Sequence, residues 1–205
     1  MVNRILVILA HPALQKSRVN IELVRAIEGV EGITLNDLYE SYPDFLINVQ
    51  REQELLLDHD IIVLQHPLYW YSGPAILKEW EDLVLEYGFA YGHEGTLLQG
   101  KKLINAITIG GTEKSYQGGG YNKFKLRDFL RPYEQAANLC GMDYLPPFVV
   151  YGTHELTNPE EIAVYKGLYV KTLEFLRDNI IVISKIEEFD YIIDYFLDEY
   201  QSWSV

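Results

Sequence analysis

Ile5-Leu6-Val7-Ile8-Leu9-Ala10-His11-Pro12-Ala13-Leu14-Gln15-Lys16-Ser17-Arg18-Val19-Asn20 opens on an unbroken apolar run and closes on hydroxyl, guanidinium and amide side chains. An apolar run of strand length with no polar alternation reads as a strand buried on both faces, which is the condition of a parallel sheet covered by helices above and below. Similar runs recur at Ile61–Gln65, Leu103–Ile109 and Phe148–Tyr151, and a weaker one at Ile33–Leu38 has the character of an edge strand. The intervals Ser17–Glu28, Val49–Asp58, Pro74–Tyr87, Leu126–Cys140 and Pro159–Asp178 are each long enough for a helix. This alternation predicts an α/β fold, a doubly wound five-stranded parallel sheet with helices on both faces. Boundary signals agree: Ser17 as an N-cap, Pro74 in a first turn, Asn158-Pro159-Glu160 as cap, proline and acid, and Gly29 and Gly141 as C-terminal stops.

With 205 residues, 48% of them hydrophobic, the chain suits one domain over 1–178. The remaining 179–205 form an extension in which Ile186, Phe189, Ile193, Phe196, Leu197 and Tyr200 recur at helical spacing. That spacing predicts an amphipathic helix packed on the domain or on a partner subunit. A net charge of −13 argues against nucleic acid and against anionic lipid surfaces as partners. A bound anion would then need backbone dipoles at a helix N-terminus to hold it against that field. The lone Cys140 allows no internal disulfide, and the first apolar run is too short for an export signal or a membrane span. The expected setting is the cytoplasm. No metal site is expected, because the histidines His11, His59, His66, His93 and His154 show no i, i+4 pair.

In sheets of this kind ligands bind beyond the carboxyl ends of the strands, so the loops 11–16, 66–73 and 110–120 should converge. Strand one ends in Ala10-His11-Pro12-Ala13 with no glycine, which argues against a Gly-x-Gly-x-x-Gly dinucleotide turn. Ser17, Arg18 and Asn20 instead offer hydroxyl, N–H and amide donors at a helix start. Their spacing leaves two readings open, a phosphate site or an ordinary cap with a solvated charge. Pro67-Leu68-Tyr69-Trp70-Tyr71 fits neither a strand face nor a helix face and suits a flat aromatic ligand. Thr108-Ile109-Gly110-Gly111 ends another strand with two residues that let backbone come close to a ring edge. Gly118-Gly119-Gly120 marks a mobile loop.

Taken with Gly88-Phe89-Ala90-Tyr91-Gly92, Tyr42-Pro43-Asp44-Phe45 and Leu145-Pro146-Pro147-Phe148, these motifs resemble the flavodoxin-fold NAD(P)H:quinone oxidoreductases. The similarity runs from about Arg4 to about Leu176 and is greatest to the bacterial branch that includes ancillary subunits of glutathione-gated potassium efflux systems. The resemblance implies non-covalent FMN or FAD and NADH or NADPH as co-substrate. It implies that His11, Ser17, Arg18 and Asn20 hold the flavin phosphate region, and that Pro67, Leu68, Tyr69, Trp70, Tyr71, Thr108, Ile109, Gly110 and Gly111 line the isoalloxazine. It places Tyr116 as a catalytic tyrosine beside the ring, with Asn122 where the animal enzymes carry a companion histidine. Tyr91 and His93 would form the opposite wall from the partner subunit of a homodimer. The acceptor would be a quinone-type molecule, and a potassium efflux antiporter at the inner face of the membrane is the alternative partner. Azo- and nitro-reduction at the same site remain open.

Overall fold

In the computed structural model, residues 2–180 and 183–202 are described, with side chains to residue 197. The strands are β1 (Ile5–Leu9), β2 (Ile33–Asp37), β3 (Ile61–Pro67), β4 (Lys102–Thr108), β5 (Asp143–Tyr144) and β6 (Phe148–Val150). The helices are α1 (Asn20–Ile27), α2 (Leu38–Ser41), α3 (Val49–Asp58), α4 (Ala75–Val84), α5 (Leu126–Leu139), α6 (Pro159–Arg177), α7 (Ile183–Ile186) and α8 (Ile192–Ser202).

All strand pairs are parallel in the order β2-β1-β3-β4, with β5 and β6 both on the far side of β4. Where one fifth strand was expected, two short ones share its place. Pro146 and Pro147 separate them, and proline has no N–H to donate to the ladder.

Side-chain alternation divides the interior between two faces. Leu6, Ile8, Ile62, Leu64, Leu103 and Ile107 join one buried cluster with Trp80 of α4 and Leu130 and Tyr133 of α5. Ile5, Val7, Ile61, Val63, Ile104 and Ala106 join the other with Leu23 of α1 and Tyr169 and Leu173 of α6. Between β2, α3 and α4 the buried Glu52 carboxylate accepts from Asn36 Nδ2 at 2.7 Å, the Tyr42 hydroxyl at 2.7 Å and the Trp80 indole at 2.8 Å. Every polar atom is thereby partnered, as burial of a carboxylate requires.

The C-terminal extension forms two helices, α7 and α8, where the spacing predicted one. The break falls at residues 187–191, where tertiary contacts redirect the chain: Ile192 N–H donates to Pro147 O at 3.1 Å beside β6. Ile186, Ile192, Ile193 and Phe196 are buried in the α1/α6 cluster, while Leu197 is half exposed.

Candidate active site

Beyond the carboxyl ends of β1, β3 and β4 lies a cleft of about 380 Å³ lined by residues of four loops. Its wall carries His11, Lys16, Ser17, Arg18, Asn20, Thr108 and His154, and no carboxylate. In a chain with 30 acidic residues against 17 basic ones, this wall is a locally positive, donor-rich surface.

The geometry explains the fixed positions. Ser17 Oγ accepts the Asn20 N–H at 3.1 Å, although the N-cap position of α1 falls on Val19 and not on Ser17 as expected. Asn20, 2% exposed, donates through Nδ2 to Thr108 Oγ1 at 2.7 Å and so ties α1 to the end of β4. Gln65 continues the network beneath, receiving the Tyr169 hydroxyl at 2.9 Å. The buried His11 ring accepts the Ala13 N–H on Nδ1 at 3.2 Å, and burial holds its pKa below the usual range. The imidazole is therefore neutral, with its remaining proton on Nε2 as a donor. Arg18 lines the cleft but spends hydrogen bonds on the loop opposite, donating to the His154 carbonyl at 3.0 Å and the Thr153 carbonyl at 3.4 Å. Its part is to clamp the loop after β6 against α1 while keeping its charge at the site.

A second part of the cleft, about 320 Å³, adjoins the first across Leu68 and the Gly110-Gly111 pair. Leu68, Trp70, Tyr71, Gly111, Ser115, Tyr116, Tyr121 and Asn122 line it. Tyr69 and Ser72 exchange backbone hydrogen bonds at 2.9 and 3.0 Å, closing a two-residue turn over Trp70 and Tyr71. Both central residues lie in the left-handed region, at φ 50° and 64°. Such a turn normally takes Asn-Gly, and each bulky side chain held there costs on the order of 1–3 kcal/mol. Part of that is offset by Tyr71, which stacks on Phe129 at 5.1 Å and donates to Asn122 Oδ1 at 3.2 Å. Trp70 receives no such support and is 93% exposed. The loop is anchored from below by His66, wholly buried, whose Nδ1–H donates to the Pro67 carbonyl at 3.0 Å and whose Nε2 accepts from Asn105 Nδ2 at 3.2 Å. Burial pushes its pKa down to about 4.

The two glycines after β4 make room for the chain's own side chains. A Cβ on Gly110 would lie 2.3 Å from His154 Nε2, and one on Gly111 would lie 3.2 Å from Tyr116 Cε2. Tyr116 packs over Gly111 at the cleft, nearly buried, and burial raises its pKa, so the phenol is neutral. Asn122 makes its hydrogen bond with Tyr71 rather than with Tyr116. Ile109 is buried behind the cleft wall. Tyr91 and His93 line neither part: Tyr91 is half-buried against Tyr87 at 5.8 Å, and His93 is exposed. Lys16, Thr153 and His154 were missing from the sequence-based set. The carboxyl-end rule applied to β6 would have found the last two.

The all-parallel β2-β1-β3-β4 sheet with helices on both faces and a cleft at its carboxyl edge defines the flavodoxin-like class. A family model described as flavodoxin-like fold matches residues 3–173, and the chain belongs to that family. It is 48% identical over 155 residues to an uncharacterized NAD(P)H oxidoreductase, YrkL, of Bacillus subtilis, covering 76% of this chain and 89% of that protein. It is 44% identical over 171 residues to the glutathione-regulated potassium-efflux system ancillary protein KefG of Yersinia pestis, covering 83% and 93%. Among solved structures, general stress protein 14 of Treponema denticola in complex with FMN matches with TM-score 0.80 and 35% identity over 84% of this chain and 99% of that one. An NADPH-quinone reductase of P. pentosaceus matches with TM-score 0.76 and 36% identity, covering 83% and 97%. No helix among the described residues is long and apolar enough to cross a membrane.

Proposed function

We propose that the chain is an FMN-dependent NAD(P)H:quinone oxidoreductase of the cytoplasm that works as a homodimer. The observation that carries this reading is the acid-free, donor-lined cleft at the carboxyl edge of a strongly acidic molecule. Its donor set fits a flavin phosphate. Lys16, the Ser17 hydroxyl, the Arg18 charge and the His11 Nε2–H all present positive or donor atoms. The named FMN complex and the NADPH-quinone reductase among similar structures support the same cofactor and reaction class.

When bound, a flavin accepts hydride from reduced nicotinamide and releases it to an acceptor. The protein's work is to bind, orient and exclude water. Pro67 to Tyr71 and Thr108 to Gly111 would hold the ring system, and the neutral Tyr116 phenol at that end of the cleft would offer a proton donor. No general base is required, in keeping with a site that has no Ser/His/Asp arrangement. Nicotinamide and acceptor would use the same cleft in turn, which would make the kinetics ping-pong. The exposed rings of Trp70, Tyr121 and Tyr87 are left for a second subunit to cover, with Tyr91 and His93 in the partner's contribution. Stopped-flow reduction of the holoprotein by NADH and NADPH, followed by a panel of quinone, azo and nitro acceptors, tests the reading. Fast reduction with parallel double-reciprocal plots for quinones is expected.

A second reading, in which the chain is a regulatory subunit of a potassium efflux antiporter, is favoured by the 44% identity to KefG. It places the protein at the inner face of the membrane through its partner. Co-purification with a membrane antiporter would support it.

A further inference from the structure

The residues matched by the family model end at 173, yet the chain after them reaches the ring end of the cleft through a line of phenols. Tyr116 rests over Gly111, and on its far side its ring meets Tyr151 at 6.0 Å and 47°. Tyr151 in turn meets Tyr191 at 6.0 Å and 81°, and its hydroxyl donates to the Tyr191 hydroxyl at 2.9 Å. Tyr191 is the point at which the extension changes faces of the sheet. It packs with Tyr151 against the α4/α5 cluster, whereas Ile192, Ile193 and Phe196 immediately after it are buried in the α1/α6 cluster. The Ile192 N–H bond to Pro147 O fixes the backbone at that crossing.

The Tyr116 backbone N–H donates to the Glu113 carbonyl at 2.9 Å, but its hydroxyl makes no hydrogen bond among the described residues. The ring is held over Gly111 by packing, with Phe129 edge-on at 6.0 Å on one side and Tyr151 on the other. Remove the support behind Tyr151, and one of those two contacts is free to shift. We propose that Tyr191 is a positioning residue, bracing Tyr151 and through it the Tyr116 ring at the cleft. The extension thus completes the site of its own subunit from behind. This rests on the flavin oxidoreductase reading for its effect on rate, though not for its effect on Tyr116. A displacement of the order of 1 Å at a reacting centre slows chemistry by about a hundredfold, and a wall ring moved by a fraction of that should slow it roughly three- to tenfold.

The test places 3-fluorotyrosine at position 116 and compares wild type with Tyr191→Leu, Tyr191→Phe and, as a control on the other face of the extension, Phe196→Leu. Two quantities are read: the fluorine resonance at 116 without flavin, and the rate of flavin reduction at saturating NADPH. Tyr191→Leu should shift the resonance and slow reduction three- to tenfold, and Tyr191→Phe, which keeps the ring, should stay within twofold of wild type. Phe196→Leu should move neither, even where it lowers the melting temperature as much. An unmoved resonance in Tyr191→Leu, or equal changes in Phe196→Leu, overturns the proposal. A wild type that takes up no flavin overturns the functional reading instead, and the resonance still decides whether Tyr191 positions Tyr116.

Discussion

The phosphate end of the cleft is wired before any ligand arrives, with Ser17, Asn20 and Thr108 joined by bonds of 3.1 and 2.7 Å and the His11 tautomer set by a backbone N–H. The ring end, a few residues further along the same loops, is assembled from exposed aromatics on a turn with two left-handed residues, one of them wholly unsupported. One end spends buried hydrogen bonds to be rigid. The other holds strain and apolar surface that its own chain does not cover. The difference implies that affinity for the cofactor comes mainly from the phosphate end, and that reactivity at the ring end depends on a second wall.

The largest expected effect comes from reversing the charge character of the rigid end. Ser17→Asp keeps an acceptor for the Asn20 N–H, so the fold should hold, yet it would place a carboxylate against the flavin phosphate. The flavin dissociation constant should rise at least about a hundredfold, or roughly 2.7 kcal/mol, in a fluorescence titration. A change under threefold would break the comparison.

Thr108→Val tests the rigidity without touching charge. It leaves the buried Asn20 Nδ2 without its 2.7 Å partner, which should lower unfolding free energy by about 1–3 kcal/mol in urea titration.

Acid should loosen the ring end through His66. Its folded pKa, about 4, lies below the unfolded value, so its neutral form stabilises the native state above the unfolded pKa. That contribution is lost as pH falls towards 4. Between pH 7 and 5 wild type should lose about 2 kcal/mol more than His66→Gln. Parallel stability curves for the two proteins over that range would contradict the role given to His66.

The smallest effect sharpens the point about strain. Trp70→Gly relieves a left-handed side chain and should raise folding stability by about 0.5–1 kcal/mol by thermal unfolding. Acceptor turnover and dimer affinity should both fall. Lower stability with unchanged turnover would mean that the turn is no functional reservoir of strain.

The sheet was legible because burial on both faces leaves a plain signature: β1, β3 and β4 read as continuous Val/Ile/Leu runs, and α3 spans the expected interval Val49–Asp58. The split of the fifth strand was also written in Pro146-Pro147, whose lost N–H groups break the ladder. The extension was misread as one helix because periodicity carries no record of Tyr191 turning to meet Tyr151. In the site, Ser17, Asn20 and Thr108 could be picked out by residue type and position. His154 follows from position alone, the carboxyl end of β6, while its seat over Gly110 is a long-range contact that no sequence pattern records. Nor does sequence show that Arg18 clamps a loop, because its partners are carbonyls 135 and 136 residues away.

The account stands most directly on the relative affinity of the apoprotein for FMN and riboflavin, which differ only in the phosphate. Measured by fluorescence quenching at moderate salt, FMN should bind at least about a hundredfold more tightly, the equivalent of some 2.7 kcal/mol from the donor-lined end. Equal affinities, or no binding of either, would contradict it.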